Sequence, residues 1–157
     1  MQNHNSKSKI RKAKIKDIRE IHNLVNSFAK QDLMLPRSLN ETYENLRDFW
    51  VAEEKKKIVG CSAIHVSWED LAEIKSLAVS GSFQRKGLGR ALLSACIEEA
   101  RALGAKRVFA LTYCPEFFKK LGFKKIKHTG LPHKIWAECI NCAKFPDCEE
   151  EAMLKKI

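Results

Sequence analysis

The residues with the clearest capacity for chemistry stand together at Gln84-Arg85-Lys86-Gly87-Leu88-Gly89-Arg90. Two glycines one residue apart let a ligand approach the backbone closely, and three cations surround them. Where such a loop opens a helix, unpaired N–H groups and the positive end of the helix dipole converge on one spot. The natural occupant of that spot is a phosphate. Two common nucleotide devices are excluded. Neither glycine is followed by the ending of a P-loop. Gly87-Leu88-Gly89 runs on into Arg90-Ala91-Leu92, so the third glycine of the dinucleotide fingerprint is missing.

A second group of reactive residues lies near the C-terminus. Cys139, Cys142 and Cys148 begin like a zinc site, with His133 as a fourth ligand. One close pair followed by a lone cysteine matches such a site only in part, so thiols in a packed or redox-sensitive tail are the preferred reading. Cys61 and Cys96 fall in apolar surroundings and read as small core residues.

The elements that must position these groups follow from periodicity and punctuation. Residues 10–15 read as a strand. Asp17 precedes a helix with apolar positions Ile18, Ile21, Val25 and Phe28. Pro36 interrupts the chain, and Ser38-Leu39-Asn40-Glu41 matches a capping box for a short helix ending near Asp48. Residues 49–53 and 58–66 read as a hairpin and 72–79 as the next strand. The strongest helix signal spans 89–103, where Leu92, Leu93, Cys96, Ile97, Ala100 and Leu103 make one apolar face and Gly104 ends it. A strand at 107–112, a short helix at 115–121, a strand at 123–128 and a last strand at 135–139 complete the series. Residues 140–157 read as an irregular acidic tail with room for a short helix. The order implies one mixed α/β domain over 1–157, with its core at about 9–139.

The bulk properties narrow the partners. A chain of 157 residues suits one domain. No apolar run is long enough to span a bilayer, so no membrane role is expected. Met1 to Lys9 is polar and basic, unlike a secretory signal, so a cytoplasmic location is expected. The net charge of +10 favours anionic partners, but it lies in short lysine clusters rather than one stripe. With no helix-turn-helix, zinc-finger pair or interleaved aromatic-basic strand, nucleic acid is not expected as a partner.

The glycine loop resembles the acetyl-coenzyme A motif of the GNAT acetyltransferase superfamily, Q/R-x-x-G-x-G/A. It stands after Leu77-Ala78-Val79 and before the long amphipathic helix, and one strand later Phe117-Phe118-Lys119-Lys120-Leu121-Gly122-Phe123 resembles a second GNAT motif. The resemblance implies a mixed, mostly antiparallel sheet with helices on both faces, and acetyl-coenzyme A as cosubstrate. It implies that backbone groups of Leu77, Ala78 and Val79 bind the thioester arm, and that Gln84, Arg85, Lys86, Gly87, Leu88, Gly89 and Arg90 hold the pyrophosphate. Phe118 takes the cofactor-side position where many relatives carry an acid tyrosine. Phenylalanine has no proton to give, so either Tyr113 substitutes or the thiol, an easy leaving group, departs without a dedicated acid.

More specific pieces resemble the acetyltransferase domain of N-acetylglutamate synthases and their short stand-alone relatives. They are Leu35-Pro36-Arg37-Ser38, Glu73-Ile74-Lys75-Ser76-Leu77-Ala78-Val79, Leu111-Thr112-Tyr113-Cys114-Pro115-Glu116-Phe117-Phe118, and Leu131-Pro132-His133-Lys134-Ile135-Trp136. The resemblance implies an amino-acid acceptor, glutamate first, in arginine biosynthesis. Alternation on the strand places Glu73, Lys75, Leu77 and Val79 on one face. Glu73 is then the general base, acting directly or through a water. Arg37 clamps a substrate carboxylate with its planar fork, and Lys75 adds a point charge. A protein or peptide acceptor and a non-catalytic acetyl-coenzyme A sensor are the alternatives, and a homodimer is compatible with either.

Overall fold

A computed structural model of the chain describes residues 8–132, 135 and 150–157. The chain runs β1 (Lys9–Lys12), α1 (Ile18–Ala29), α2 (Leu39–Glu44), β2 (Phe49–Glu54), β3 (Lys57–Trp68), β4 (Leu71–Val79), α3 (Leu88–Ala102), β5 (Arg107–Thr112), α4 (Pro115–Lys120), β6 (Lys124–Ile126) and β7 (Glu151–Lys156). Seven strands form one sheet in the order β1-β2-β3-β4-β5-β7-β6. Among the described residues, only β4 and β5 pair in parallel, and α3 makes the crossover between them. The mixed, mostly antiparallel sheet is as expected.

Helices cover both faces. On one, Ile18, Ile21 and Val25 of α1 pack on Phe49, Val51, Cys61, Ala63 and Ala78. On the other, Leu93, Cys96, Ile97 and Ala100 of α3 meet Ile64, Ala72, Ile74, Val108 and Ala110. Full burial of such an aliphatic side chain contributes about 2 kcal/mol, so the two helix stripes read from periodicity are what fix α1 and α3 to the sheet. Burial pushes the Cys61 and Cys96 thiols up to about 12, which keeps both as neutral packing groups.

Local chemistry sets the boundaries. The β2–β3 hairpin has a two-residue turn, Lys55-Lys56, with φ of 49° and 64°. Both residues take the left-handed conformation that a tight hairpin turn needs, without the usual Asn-Gly. Ser38 caps α2 by accepting a hydrogen bond from the Glu41 N–H at 3.0 Å. The first strand is shorter than expected, because Ile15–Asp17 wind into a 3-10 turn that leads into α1. The strand expected at 123–128 stops at Ile126, ahead of a 3-10 turn at His128–Gly130.

The expectation of an irregular or helical tail over 140–157 is corrected at its end, while residues 140–149 lie outside the described residues. Residues 151–156 form β7, inserted between β5 and β6. Its side chains serve both faces: Ala152 joins Leu71 and Phe109, while Met153 joins the core beneath α3. Among the described residues, no helix is long and apolar enough to cross a membrane.

One buried ionic cluster ties the start of the chain to the sheet. Asp17, 3% exposed, accepts from Arg11 Nη1 at 2.7 Å, Arg11 Nη2 at 3.0 Å and the Lys14 N–H at 2.7 Å. Arg11 Nε donates to Glu53 at 2.6 Å. Burial disfavours the Asp17 carboxylate, but the hydrogen bonds from Arg11 and Lys14 and the Arg11 charge outweigh it. The Asp17 pKa therefore lies below the usual carboxylate range. A depressed carboxylate stabilises the fold above its unfolded pKa of about 4 and loses that effect as pH falls through the folded value. Asp17→Asn should cost about 2 kcal/mol at pH 7. In urea denaturation, its gap to the parent protein should narrow below about pH 4.

Candidate active site

The site begins where β4 leaves β5. The two strands pair only over Leu71–Ile74 and Arg107–Ala110. Beyond Ile74, β4 keeps its partner β3 on one side, while its edge toward β5 is out of the ladder. An extended ligand can add to such an edge through main-chain hydrogen bonds.

At the same point β4 bulges. The register with β3 jumps from Lys75↔Ala63 to Ala78↔Cys61, so Ser76 and Leu77 together oppose Ser62. Ser76 carries a φ of 53°, and its carbonyl accepts from the Cys61 thiol at 3.4 Å. The extra residue inverts the alternation. Lys75 lines the pocket described below, on the α1–α2 side, whereas Leu77 and Val79 pack toward α3. The expectation that Glu73, Lys75, Leu77 and Val79 share one face is therefore corrected. Glu73 and Lys75 lie on one side, Leu77 and Val79 on the other.

Beyond Val79 the chain enters the anion loop. Gln84 Nε2 donates to the Val79 carbonyl at 2.9 Å and closes the loop on the strand. Arg85 and Gly87 both take positive φ, 61° and 85°, separated by Lys86. Alternating handedness of this kind turns successive N–H groups toward a common concavity. Gly87 is the N-cap of α3 and offers no side chain, so the first N–H groups of the helix stay open to a ligand. A Cβ on Gly87 would meet nothing within 4 Å, and one on Gly89 would touch the Phe117 ring at 3.5 Å. Arg85, Lys86 and Arg90 are exposed, and no acidic residue stands between Ser80 and Ile97. Open backbone donors, a helix dipole and three cations that make no ion pair among the described residues suit the pyrophosphate of coenzyme A.

On the other side of the bulge lies a pocket of about 130 Å³. Arg37, Lys75 and Ser76 line it, together with Glu41, Asp48 and His65. The backbone of Arg37 is fixed on α1 by Asn26, which accepts from the Arg37 N–H at 3.2 Å and donates to its carbonyl at 2.9 Å. Two ion pairs border the pocket, Arg37 with Glu41 at 2.9 Å and Lys75 with Glu73 at 3.5 Å, and His65 Nδ1 meets Asp48 at 2.6 Å.

The structure thus brings Arg37, Lys75 and Ser76 to one cavity and sets Glu73 beside Lys75, 7% exposed. Tyr113 lies in the bend between β5 and α4 and does not line the pocket. Phe118 is buried in the core, edge-on to Phe117 at 5.2 Å and to Phe123 at 5.1 Å. Phe117, not Phe118, is the ring against the start of α3. No sequence signal marks His65 and Asp48, which stand 17 positions apart with no motif around them. Cys139, Cys142, Cys148 and His133 lie outside the described residues. Among the described residues, no three His, Cys, Asp or Glu side chains are grouped to hold a metal.

Comparison with known proteins points the same way. The model of the acetyltransferase (GNAT) family matches residues 15–123. An uncharacterized N-acetyltransferase of Chlorobaculum tepidum is 40% identical over 94% of this chain and 96% of its own length. An amino-acid acetyltransferase of Mycobacterium tuberculosis is 37% identical over 82% of this chain and 75% of its own. Among solved structures, the N-acetylglutamate synthase of Neisseria gonorrhoeae complexed with coenzyme A and N-acetyl-glutamate aligns with a TM-score of 0.87 at 28% identity. That alignment covers 95% of this chain but 35% of the synthase. A Mycobacterium tuberculosis protein in complex with coenzyme A aligns with a TM-score of 0.80 at 33% identity, over 95% of this chain and 99% of its own.

The anion loop makes a direct prediction. Gly87→Ala meets no steric obstacle, but at a φ of 85° it carries backbone strain of about 1–2 kcal/mol. Calorimetric titration with coenzyme A should show about tenfold weaker binding as the loop shifts to relieve that strain. Unchanged affinity would mean that the loop does not hold the ligand.

Proposed function

The chain belongs to the GNAT acetyltransferase family, and on that premise we propose that it acetylates the α-amine of a free amino acid, with glutamate as the acceptor. Acetyl-coenzyme A is the cosubstrate and supplies the electrophilic thioester carbonyl. The observation that carries the acceptor assignment is the pairing of Arg37 and Lys75 in one pocket beside the β4 bulge. That pocket is well below the roughly 300 Å³ typical of drug-sized sites, a scale suited to a single amino acid.

In this reading the two cations take the two carboxylates of glutamate. Arg37 is the better clamp. Its planar fork can hold both oxygens of one carboxylate, and among the described residues only its Nη1 is engaged, by Glu41. Lys75 offers a point charge already shared with Glu73. The relatives named as amino-acid acetyltransferases support a free amino acid over a peptide. The pantetheine arm lies along the open edge of Leu77, Ala78 and Val79, and the residues from Gln84 to Arg90 hold the pyrophosphate. This arrangement puts the thioester at the bulge, between the loop and the pocket.

Glu73 serves as general base. It does not line the pocket, so it reaches the nitrogen through a water. Tyr113 has no assigned part here. A thiolate leaves readily, and the reading requires no dedicated acid.

Two substitutions test these roles separately. Arg37→Ala should raise KM for glutamate about 10- to 100-fold, the net cost of the lost clamp after its competition with Glu41, and leave KM for acetyl-coenzyme A unchanged. An unchanged glutamate KM removes the clamp. Glu73→Gln should lower kcat about 100-fold with little change in either KM. An unaltered rate and pH profile would take Glu73 out of the mechanism.

A further inference from the structure

An amine that enters as an ammonium sheds two protons on its way to an amide, one before attack and one after the C–N bond forms. Glu73 takes only one of them. The pocket holds a second group built to take a proton. His65 on β3 stands directly across from Glu73 on β4, its ring lines the pocket with Lys75 and Arg37, and its side chain is 37% exposed. Its Nδ1 lies 2.6 Å from Asp48 Oδ2. Among the described residues, Nε2 makes no hydrogen bond.

We propose that His65 Nε2 takes the first proton, converting the acceptor's ammonium into the attacking amine, and that Asp48 is the positioning residue that makes this possible. The proposal rests on the pocket being the acceptor site. A carboxylate on Nδ1 holds the imidazole proton there and leaves the Nε2 lone pair facing outward. Asp48 is itself firmly placed, at the end of a 3-10 turn whose N–H donates to the Asn45 carbonyl at 3.0 Å. Once the ring is charged, Asp48 neutralises it, the role a buried carboxylate plays behind a catalytic histidine. Among the described residues, the other charged groups around the ring are Glu73 and Lys75 on β4, and Arg37 with Glu41 at the start of α2. Three carboxylates with two permanent cations leave one negative charge when the ring is neutral, and an imidazolium brings the set to zero.

The step balances. The ammonium gives one proton to Nε2, and the partly exposed ring passes it to solvent. A C–N bond forms, the C–S bond of the thioester breaks, and the nitrogen loses its second proton by way of Glu73. One of the two protons ends on the sulfur as free thiol, and the other is released.

Two readouts test this. Free-thiol release is measured with the fastest amine from a panel of amino acids and simple primary amines. His65→Gln should lower kcat about 100-fold or more, flatten the acid side of the pH profile and leave KM for acetyl-coenzyme A unchanged. Asp48→Asn should lower kcat by a smaller factor, and Asp48→Glu should recover part of it. If His65→Gln unfolds, His65→Asn replaces it. The second readout needs no substrate. Nitrogen NMR of ¹⁵N-histidine-labelled protein at alkaline pH should show His65 protonated on Nδ1 and bare on Nε2, and Asp48→Asn should mix the tautomers. Wild-type kcat and pH profile in the folded variant, or a proton on Nε2 in the NMR, would overturn the proposal. Should a simple amine outrun every amino acid, the acceptor reading fails, while the His65 comparison is made on that amine.

Discussion

The parting of β4 from β5 after Ile74, with the bulge at Ser76, is the constraint on which the rest of the site depends. A parallel pair continued to its end would close the sheet and bury both edges. Here the pairing stops after four residues of β4, and one backbone edge is left for a ligand. The bulge then divides the strand's labour. Side chains before it, Glu73 and Lys75, lie on the α1–α2 side. Those after it, Leu77 and Val79, secure the strand to α3. Without the extra residue, Leu77 and Val79 would swap sides, and the strand could not serve both the pocket and the helix that carries the anion loop. The cost of a positive φ at a serine is of order 1 kcal/mol, small beside the burial of α1 and α3 on either face.

The two halves of the site use charge differently. Around the loop before α3, positive charge is exposed and, among the described residues, without an ion pair, and no acidic residue stands from Ser80 to Ile97. That suits a highly charged, water-bathed phosphate group, which is attracted from a distance and held by backbone donors. In the pocket every basic group already has an internal carboxylate partner. A ligand there must compete with an existing ion pair, so binding rewards shape and bidentate geometry over net charge. Such a division fits a common cosubstrate on one side and a selective acceptor on the other.

Much of this was legible in the sequence, and the exceptions have physical reasons. The anion loop and α3 stand out because glycine spacing and a 3.6-residue stripe are both local signals. α1 and the cap at Ser38 were readable for the same reason. β7 was not. Its Ala152 and Met153 are buried on opposite faces, so no polar alternation marks it, and an acidic run precedes it. The bulge was hidden because Ser76 takes a positive φ without a glycine to announce it. That single residue inverted the facing of half a strand. Phe117 and Phe118 are neighbours of identical chemistry, and only the packing of α4 decides which enters the core. His65 and Asp48 come together through tertiary structure alone.

The central claim is that the pocket beside the bulge receives a free amino acid for acetylation. The most direct measurement is the rate of free-thiol release from acetyl-coenzyme A, compared across the free amino acids, a lysine-bearing peptide and no acceptor. The account predicts turnover with free amino acids, greatest with glutamate, none when the α-amine is blocked, and only background hydrolysis with no acceptor. A peptide amine acetylated faster than any free amino acid, or equal rates with and without acceptor, would contradict it.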